Sequence, residues 1–97
     1  MKVLAIDPGT TRSAMCIMDK DTLEPLDIQL LDNNELHEYI KEIHLEEEDE
    51  AAIEMLQSYG NIMGKHLLFT AVWIGRFYEQ LRRKMLKEPT LIYRKDE

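Results

Sequence analysis

Two carboxylates in this chain, Asp7 and Glu54, each close a short apolar run: Lys2-Val3-Leu4-Ala5-Ile6-Asp7 and Ala51-Ala52-Ile53-Glu54. Such runs are strand sequences, and acids are depleted from strands, so an acid at each carboxyl end asks for a reason. If the two strands lie parallel and adjacent, both acids reach the end of the sheet where ligands of open α/β sheets bind. Two carboxylates there repel each other unless a cation sits between them. Mg²⁺ (or Mn²⁺) suits the pair, because Mg²⁺ takes one or two carboxylates and keeps several waters for a phosphate to displace. Spacing alone leaves a plainer alternative open: Asp-Pro-Gly is an ordinary turn opener, and a Glu at a strand end is often simply exposed.

Composition removes other chemistries. Cys16 is the single cysteine, so neither an internal disulfide nor a cysteine zinc site can form, and a reduced, cytoplasmic setting is the expectation. His37, His44 and His66 have no second ligand at metal spacing. The segment Gly60-x3-Gly64-Lys65-His66 fails as a nucleotide P-loop: three residues separate the glycines instead of four, and His66 stands where Ser or Thr must bind the metal. No stretch approaches the ~18 apolar residues of a membrane helix. The net charge of −7 hides a division, since residues 1–50 hold 4 Lys/Arg against 14 Asp/Glu and residues 51–97 hold 8 against 5. Much of the negative surplus lies in Glu46-Glu47-Glu48-Asp49-Glu50, which reads as a solvated connector. Whether a polyanion binds therefore depends on where the basic half points.

Positioning falls to seven elements in one domain of 97 residues. Residues 2–7 and 13–19 read as strands joined by a turn at Pro8-Gly9, and Pro25 to Leu31 alternates Leu26, Ile28 and Leu30 as a half-buried strand does. Asp32 with Glu35 three residues on opens a helix of capping-box type, followed by Leu36, Ile40 and Ile43. Residues 51–55 form a strand, Ser58 to Asn61 a loop, Gly64 to Lys87 a long helix ended by Pro89, and Thr90 to Tyr93 a last strand. The order β-β-β-α-β-α-β predicts an α/β fold: a mixed five-stranded sheet with helices packed on it.

The run Val-Leu-Ala-Ile-Asp-Pro-Gly-Thr-Thr-Arg-Ser-Ala-Met-Cys-Ile from Val3 to Ile17 resembles the opening hairpin of RuvC-type Holliday-junction resolvases, which have the ribonuclease H-like fold. Ala51 to Glu54 is similar to that family's second acidic strand, and Pro89 to Tyr93 to the strand after its long helix. Ser58 to Lys65, Phe69 and Trp73-Ile74-Gly75-Arg76-Phe77 look like the phage-borne members. The resemblance implies a Mg²⁺-dependent endonuclease that cuts branched DNA and acts as a homodimer. Asp7 would bridge two metal ions, and Glu54 would hold one of them. The family also needs acids on a helix after the last strand, so the expectation is a single ribonuclease H-like domain, 1–97, lacking that helix and weak or inactive alone. Asp96 and Glu97 directly trail a strand and are not taken as the missing ligands. Two other readings stay open. Gly9-Thr10-Thr11-Arg12 also resembles the phosphate loop of sugar kinases and actin-like ATPases, and a binding module without chemistry is compatible with the missing acids.

The long helix offers two apolar stripes. Leu67, Ala71, Ile74, Tyr78, Leu81 and Met85 form the expected core face, while Phe69, Trp73 and Phe77 lie about 120° away at 100° per residue. The second stripe needs its own partner, which is either the first helix or a second copy of the chain. Lys65, Arg76 and Arg83 share the side opposite the main stripe. With Thr10 and Thr11 they are the candidates for contact with nucleic-acid phosphates. A solvated ridge is the competing reading, since Glu79 can pair with Arg83 at i, i+4.

Overall fold

The computed structural model describes residues 1–56 and 64–93; the expected loop Ser58–Asn61, and Asp96 and Glu97, lie outside the described residues. The element order is β1 (Lys2–Asp7), β2 (Arg12–Asp19), β3 (Pro25–Asp32), α1 (Asn33–Glu42), β4 (Glu50–Glu54), α2 (Lys65–Met85) and β5 (Thr90–Ile92). The strands form one mixed sheet in the order β3-β2-β1-β4-β5. β1, β2 and β3 pair antiparallel as a meander, whereas β4 runs parallel to β1 and β5 parallel to β4. Parallel neighbours need a long crossover, and α2 supplies the one between β4 and β5.

Alternation along the strands decides which residues meet the helices. Leu4 and Ile6 of β1, Met15 and Ile17 of β2, and Ile53 of β4 point to one side and join Leu36 and Ile40 of α1 with Ile74, Phe77 and Leu81 of α2 in a single core. Both helices therefore cover the same face. α1 begins at Asp32, whose carboxylate accepts from the Asn34 N–H, and Lys41 in its last turn suits the negative end of the helix dipole. α2 has no side-chain cap at Gly64 and ends at Leu86, whose φ of 57° is left-handed, with Arg82, Arg83 and Lys84 in the last turn.

Three expectations are corrected by this packing. The buried stripe of α2 is Thr70, Ile74, Phe77 and Leu81, roughly midway between the two stripes in the sequence. Ala71 of the expected core stripe is exposed, and Phe77 of the other stripe is fully buried. A helix wedged between a sheet and a second helix buries the arc between its two contacts. In β3 the alternation holds but the burial is inverted: Leu26, Ile28 and Leu30 are exposed, whereas Asp27 and Gln29 are half-buried on the helix side. There the Tyr39 hydroxyl donates to Asp27 Oδ2 at 3.3 Å and Gln29 Nε2 donates to the same oxygen at 2.9 Å. The acidic run is not solvated throughout, because Asp49 is 1% exposed. Its carboxylate accepts from the Lys2 and Glu46 N–H groups, both at 2.7 Å.

Candidate metal centre

Asp7 owes its position to the turn that follows it. Gly9 N–H donates to Ser13 Oγ at 3.0 Å, Ser13 Oγ donates to Asn33 Oδ1 at 2.5 Å, and Asn33 Nδ2 returns the bond to the Gly9 carbonyl at 2.9 Å. This closed ring of hydrogen bonds ties the β1–β2 turn to the start of α1, and Ser13 and Asn33 are each 1% exposed. Glycine is required at position 9, since a Cβ there would meet the Arg12 carbonyl oxygen at 2.1 Å. Sequence reasoning missed Ser13 and Asn33. The available signal was a serine in the core-facing register of a strand, Ser13, Met15 and Ile17, where a hydroxyl must find a buried partner.

Glu54 is placed by β4. The parallel register pairs Val3 with Glu50, Leu4 with Ala51, Ala5 with Ala52 and Ile6 with Ile53. The same offset sets Asp7 level with Glu54 at the carboxyl ends of neighbouring strands, which lie about 4.8 Å apart. Both acids face the side away from the helices, and both line a hollow of about 440 Å³. Its floor is made of small residues, Ala5, Ala14, Cys16 and Ala52, flanked by Ile28 and Ile92. Asp7 is exposed and Glu54 half-buried.

Two hard oxygen donors at the end of an apolar bed fit one Mg²⁺ or Mn²⁺ that keeps most of its waters. No group of three or more His, Cys, Asp or Glu side chains able to hold a metal occurs among the described residues. Asp7 and Glu54 by themselves thus suit one loosely held ion.

The remaining candidates divide by place. Thr10 Oγ1 donates to the His66 carbonyl at 3.1 Å and lies 3.0 Å from Thr70 Oγ1, which stitches the hairpin tip to the first turn of α2. The hydroxyl that a phosphate loop would offer is therefore engaged with α2. Thr11 is exposed at the same tip, and Lys65 begins α2 beside it with its ammonium 5.7 Å from the Phe69 ring. Thr10, Thr11 and Lys65 thus gather at the end of the molecule where β1 terminates. Arg76 and Arg83 do not, as they lie about 17 and 27 Å further along the helix axis.

Of the three aromatics expected at an interface, Phe69 is 47% exposed, while Phe77 is 0% exposed and belongs to the core. Phe77 is therefore corrected from an interface residue to a core residue. Trp73 is half-buried between them, edge-on to His37 at 6.5 Å and tilted on Phe77 at 5.5 Å. The first helix thus takes part in covering this stripe. Burial, and then the charge of Lys41, hold the His37 imidazole below its ordinary pKa. His44 Nε2 lies 2.8 Å from Glu46 Oε1 at the surface.

No protein-family model matches the chain, and no curated protein matches it either. Among solved structures, RuvC of T. thermophilus in complex with a Holliday junction substrate is similar to this chain with a TM-score of 0.67 at 12% sequence identity. The likeness covers 97% of this chain and 66% of that chain, so the present chain spans just under two-thirds of its neighbour. At this identity the fold is what the likeness shows: a ribonuclease H-like α/β fold with a mixed five-stranded sheet. No helix among the described residues is long and apolar enough to cross a membrane.

Proposed function

We propose that this chain carries two metal-holding carboxylates of a structure-selective endodeoxyribonuclease that acts on branched DNA of the Holliday-junction kind. The carrying observation is the parallel β1–β4 register, which brings Asp7 level with Glu54 on the open side of the sheet. A solved neighbour of the same fold, RuvC, holds junction DNA. Asp7 and Glu54 are the groups that would hold a divalent cation. When bound, the ion supplies an activated water and stabilisation of a leaving oxygen. The ring formed by Gly9, Ser13 and Asn33 fixes the backbone behind Asp7, and Thr11 and Lys65 meet DNA phosphates at the same end. Two carboxylates leave most of the ion's coordination shell to water, so this chain alone binds metal weakly and cuts poorly.

The reading extends to a homodimer in a reduced, cytoplasmic setting, with the phage-borne resolvases as the relatives suggested by Phe69 and by Trp73 to Phe77. Phe69, exposed together with Leu68 near the start of α2, is the centre of the dimer contact, and Trp73 sits at its edge.

Thermal unfolding with added Mn²⁺ tests the metal reading. An ion at ten times its dissociation constant stabilises the fold by about 1.4 kcal/mol. Asp7→Asn is expected to abolish that gain, and with it any cleavage of a four-way junction. A wild-type chain indifferent to Mn²⁺ and Mg²⁺ at millimolar concentration overturns the site.

A further inference from the structure

On the helix layer, remote from the carboxylates, α1 and α2 enclose a groove of about 600 Å³. Lys41 of α1 lines one wall, and Arg76 and Arg83 of α2 line the other, with Glu79 as the acid among them. This concentration of cations is unusual in a chain of net charge −7, and α2 alone holds five Lys/Arg and a single Glu. Arg76 is placed for a ligand. Its guanidinium lies 4.7 Å from the Trp73 ring centroid, and among the described residues it pairs with no carboxylate. A guanidinium stacked on an indole keeps its edge N–H groups for planar, bidentate recognition. Glu79 is shared between Arg82 at 2.7 Å and Arg83 at 2.9 Å, so one carboxylate faces two guanidinium groups and leaves a positive surplus. Lys41 pairs with Glu38 at 3.0 Å on the surface. With His37 held neutral by burial and by Lys41, the positive charge of the groove at neutral pH comes from Lys41, Arg76 and Arg83.

Two further observations give the shape of the ligand. Arg76 and Arg83 stand two helical turns apart on one side of α2, about 10 Å along the axis. The cations form a line, which matches a run of phosphates better than a single anion. Gly75, next to Arg76, also lines the groove, and a Cβ there would meet no heavy atom within 4 Å. A glycine in a helix interior costs stability, and nothing inside the fold asks for one here. Its bare backbone lets a ligand descend onto the helix.

We infer that this groove binds the phosphates of a nucleic-acid backbone through Arg76, Arg83 and Lys41, as a second contact surface separate from the Asp7–Glu54 end. The inference rests on the DNA reading above but not on the metal site. It is tested by fluorescence anisotropy of a labelled unbranched DNA duplex across a salt series. The variants are the triple Lys41→Ala, Arg76→Ala, Arg83→Ala chain and Gly75→Leu, with folding checked by circular dichroism. The triple variant is expected to bind roughly tenfold or more weakly and to lower the slope of log K against log salt by about 2.7, or 0.9 for each lost phosphate contact. Gly75→Leu fills the groove and weakens binding, whereas Gly75→Ala raises the unfolding temperature. Lys20→Ala, whose ammonium pairs with Glu50 elsewhere on the surface, changes neither affinity nor slope.

An unchanged slope in the triple variant of a chain that binds duplex overturns the groove and leaves the nuclease reading standing. A wild-type chain that binds neither duplex nor four-way junction at low salt overturns both. Inorganic phosphate that shifts the amide resonances of Arg76 and Arg83 without any duplex affinity overturns the nucleic-acid source. A Gly75→Leu chain that changes its sedimentation but not its DNA affinity points to a protein contact and overturns the inference as well.

Discussion

Beneath α1 and α2, Leu4, Ile6, Met15 and Ile53 are 0 to 2% exposed, whereas on the reverse side of the same sheet Leu26, Ile28 and Leu30 are 54 to 68% exposed. The two sets are equally apolar, but the dry one comes from β1, β2 and β4 and the exposed one from β3 of the same sheet. What differs is the layer above them, since both helices lie on one side. The strand period is a property of local sequence, but which phase of it becomes dry is settled by where the helices pack. β3 makes the point most clearly. Its polar residues Asp27 and Gln29 meet Tyr39 of α1, and its apolar residues face outward. The open side also carries the Asp7–Glu54 end, so the two candidate carboxylates sit on the face whose apolar surface the described helices leave uncovered.

The sharpest contrast comes from the covered side. Phe77 is 0% exposed and packs with Ile74, Leu81 and the strands below. Phe77→Ala removes most of a large side chain from a packed interior, with an expected loss of about 3–5 kcal/mol. Urea denaturation with a common slope measures it. A loss below about 1 kcal/mol would mean that α2 is not docked on the sheet in solution, and the distinction between the sides would disappear.

A smaller effect is expected where the register of the two sides is pinned. Asp49 sits just before β4, and its two carboxylate oxygens accept from the Lys2 and Glu46 N–H groups, tying the start of β1 to the start of β4. That bond helps set the offset that later brings Asp7 level with Glu54. Burial pushes the Asp49 carboxyl upward, and the N–H bonds from Lys2 and Glu46 outweigh it, leaving the group below its ordinary pKa. A carboxyl depressed in the folded state stabilises above its unfolded pKa of about 3.9, and that contribution is lost as pH falls through the lower folded value. Asp49→Asn keeps one acceptor and sets an NH₂ against the other donor, at an expected cost of about 1–3 kcal/mol. The variant should also lose less stability on acidification below about pH 4 than the wild type. Equal acid sensitivity of the two chains would show that Asp49 does not carry this anchor.

The elements were legible because each has local punctuation: Pro8-Gly9 after β1, Asp32 before α1, Pro89 before β5. The α/β order and the five-stranded mixed sheet follow from them. Asp7 and Glu54 stood out because acids at strand ends conflict with strand propensity, and the parallel register brings their positions together. The inverted burial of β3 was not legible, because alternation has no sign until a helix chooses a side. Nor was the buried stripe of α2, which lies between two equally apolar arcs and is selected by simultaneous contact with α1 and the sheet. The buried Asp49 was hidden among four glutamates. A shorter side chain at that position reaches two backbone N–H groups, which composition cannot reveal.

The smallest expected effect tests the open side directly. Ile28 is 68% exposed and faces no described helix or strand, so Ile28→Ser removes an apolar side chain that folding has not dried. Substitutions of this kind fall within about ±0.5 kcal/mol. Because contiguous exposed apolar surface favours association, the variant is also expected to stay soluble at higher concentration than the wild type. Urea denaturation of Ile28→Ser beside Phe77→Ala gives the comparison in one experiment. A cost of 2 kcal/mol or more at Ile28 would show that something covers this side in solution. The two faces would then be alike in energy as well as in composition. Repeating the measurement over a tenfold range of protein concentration separates the possible covers, since only a second copy makes the cost at Ile28 grow with concentration.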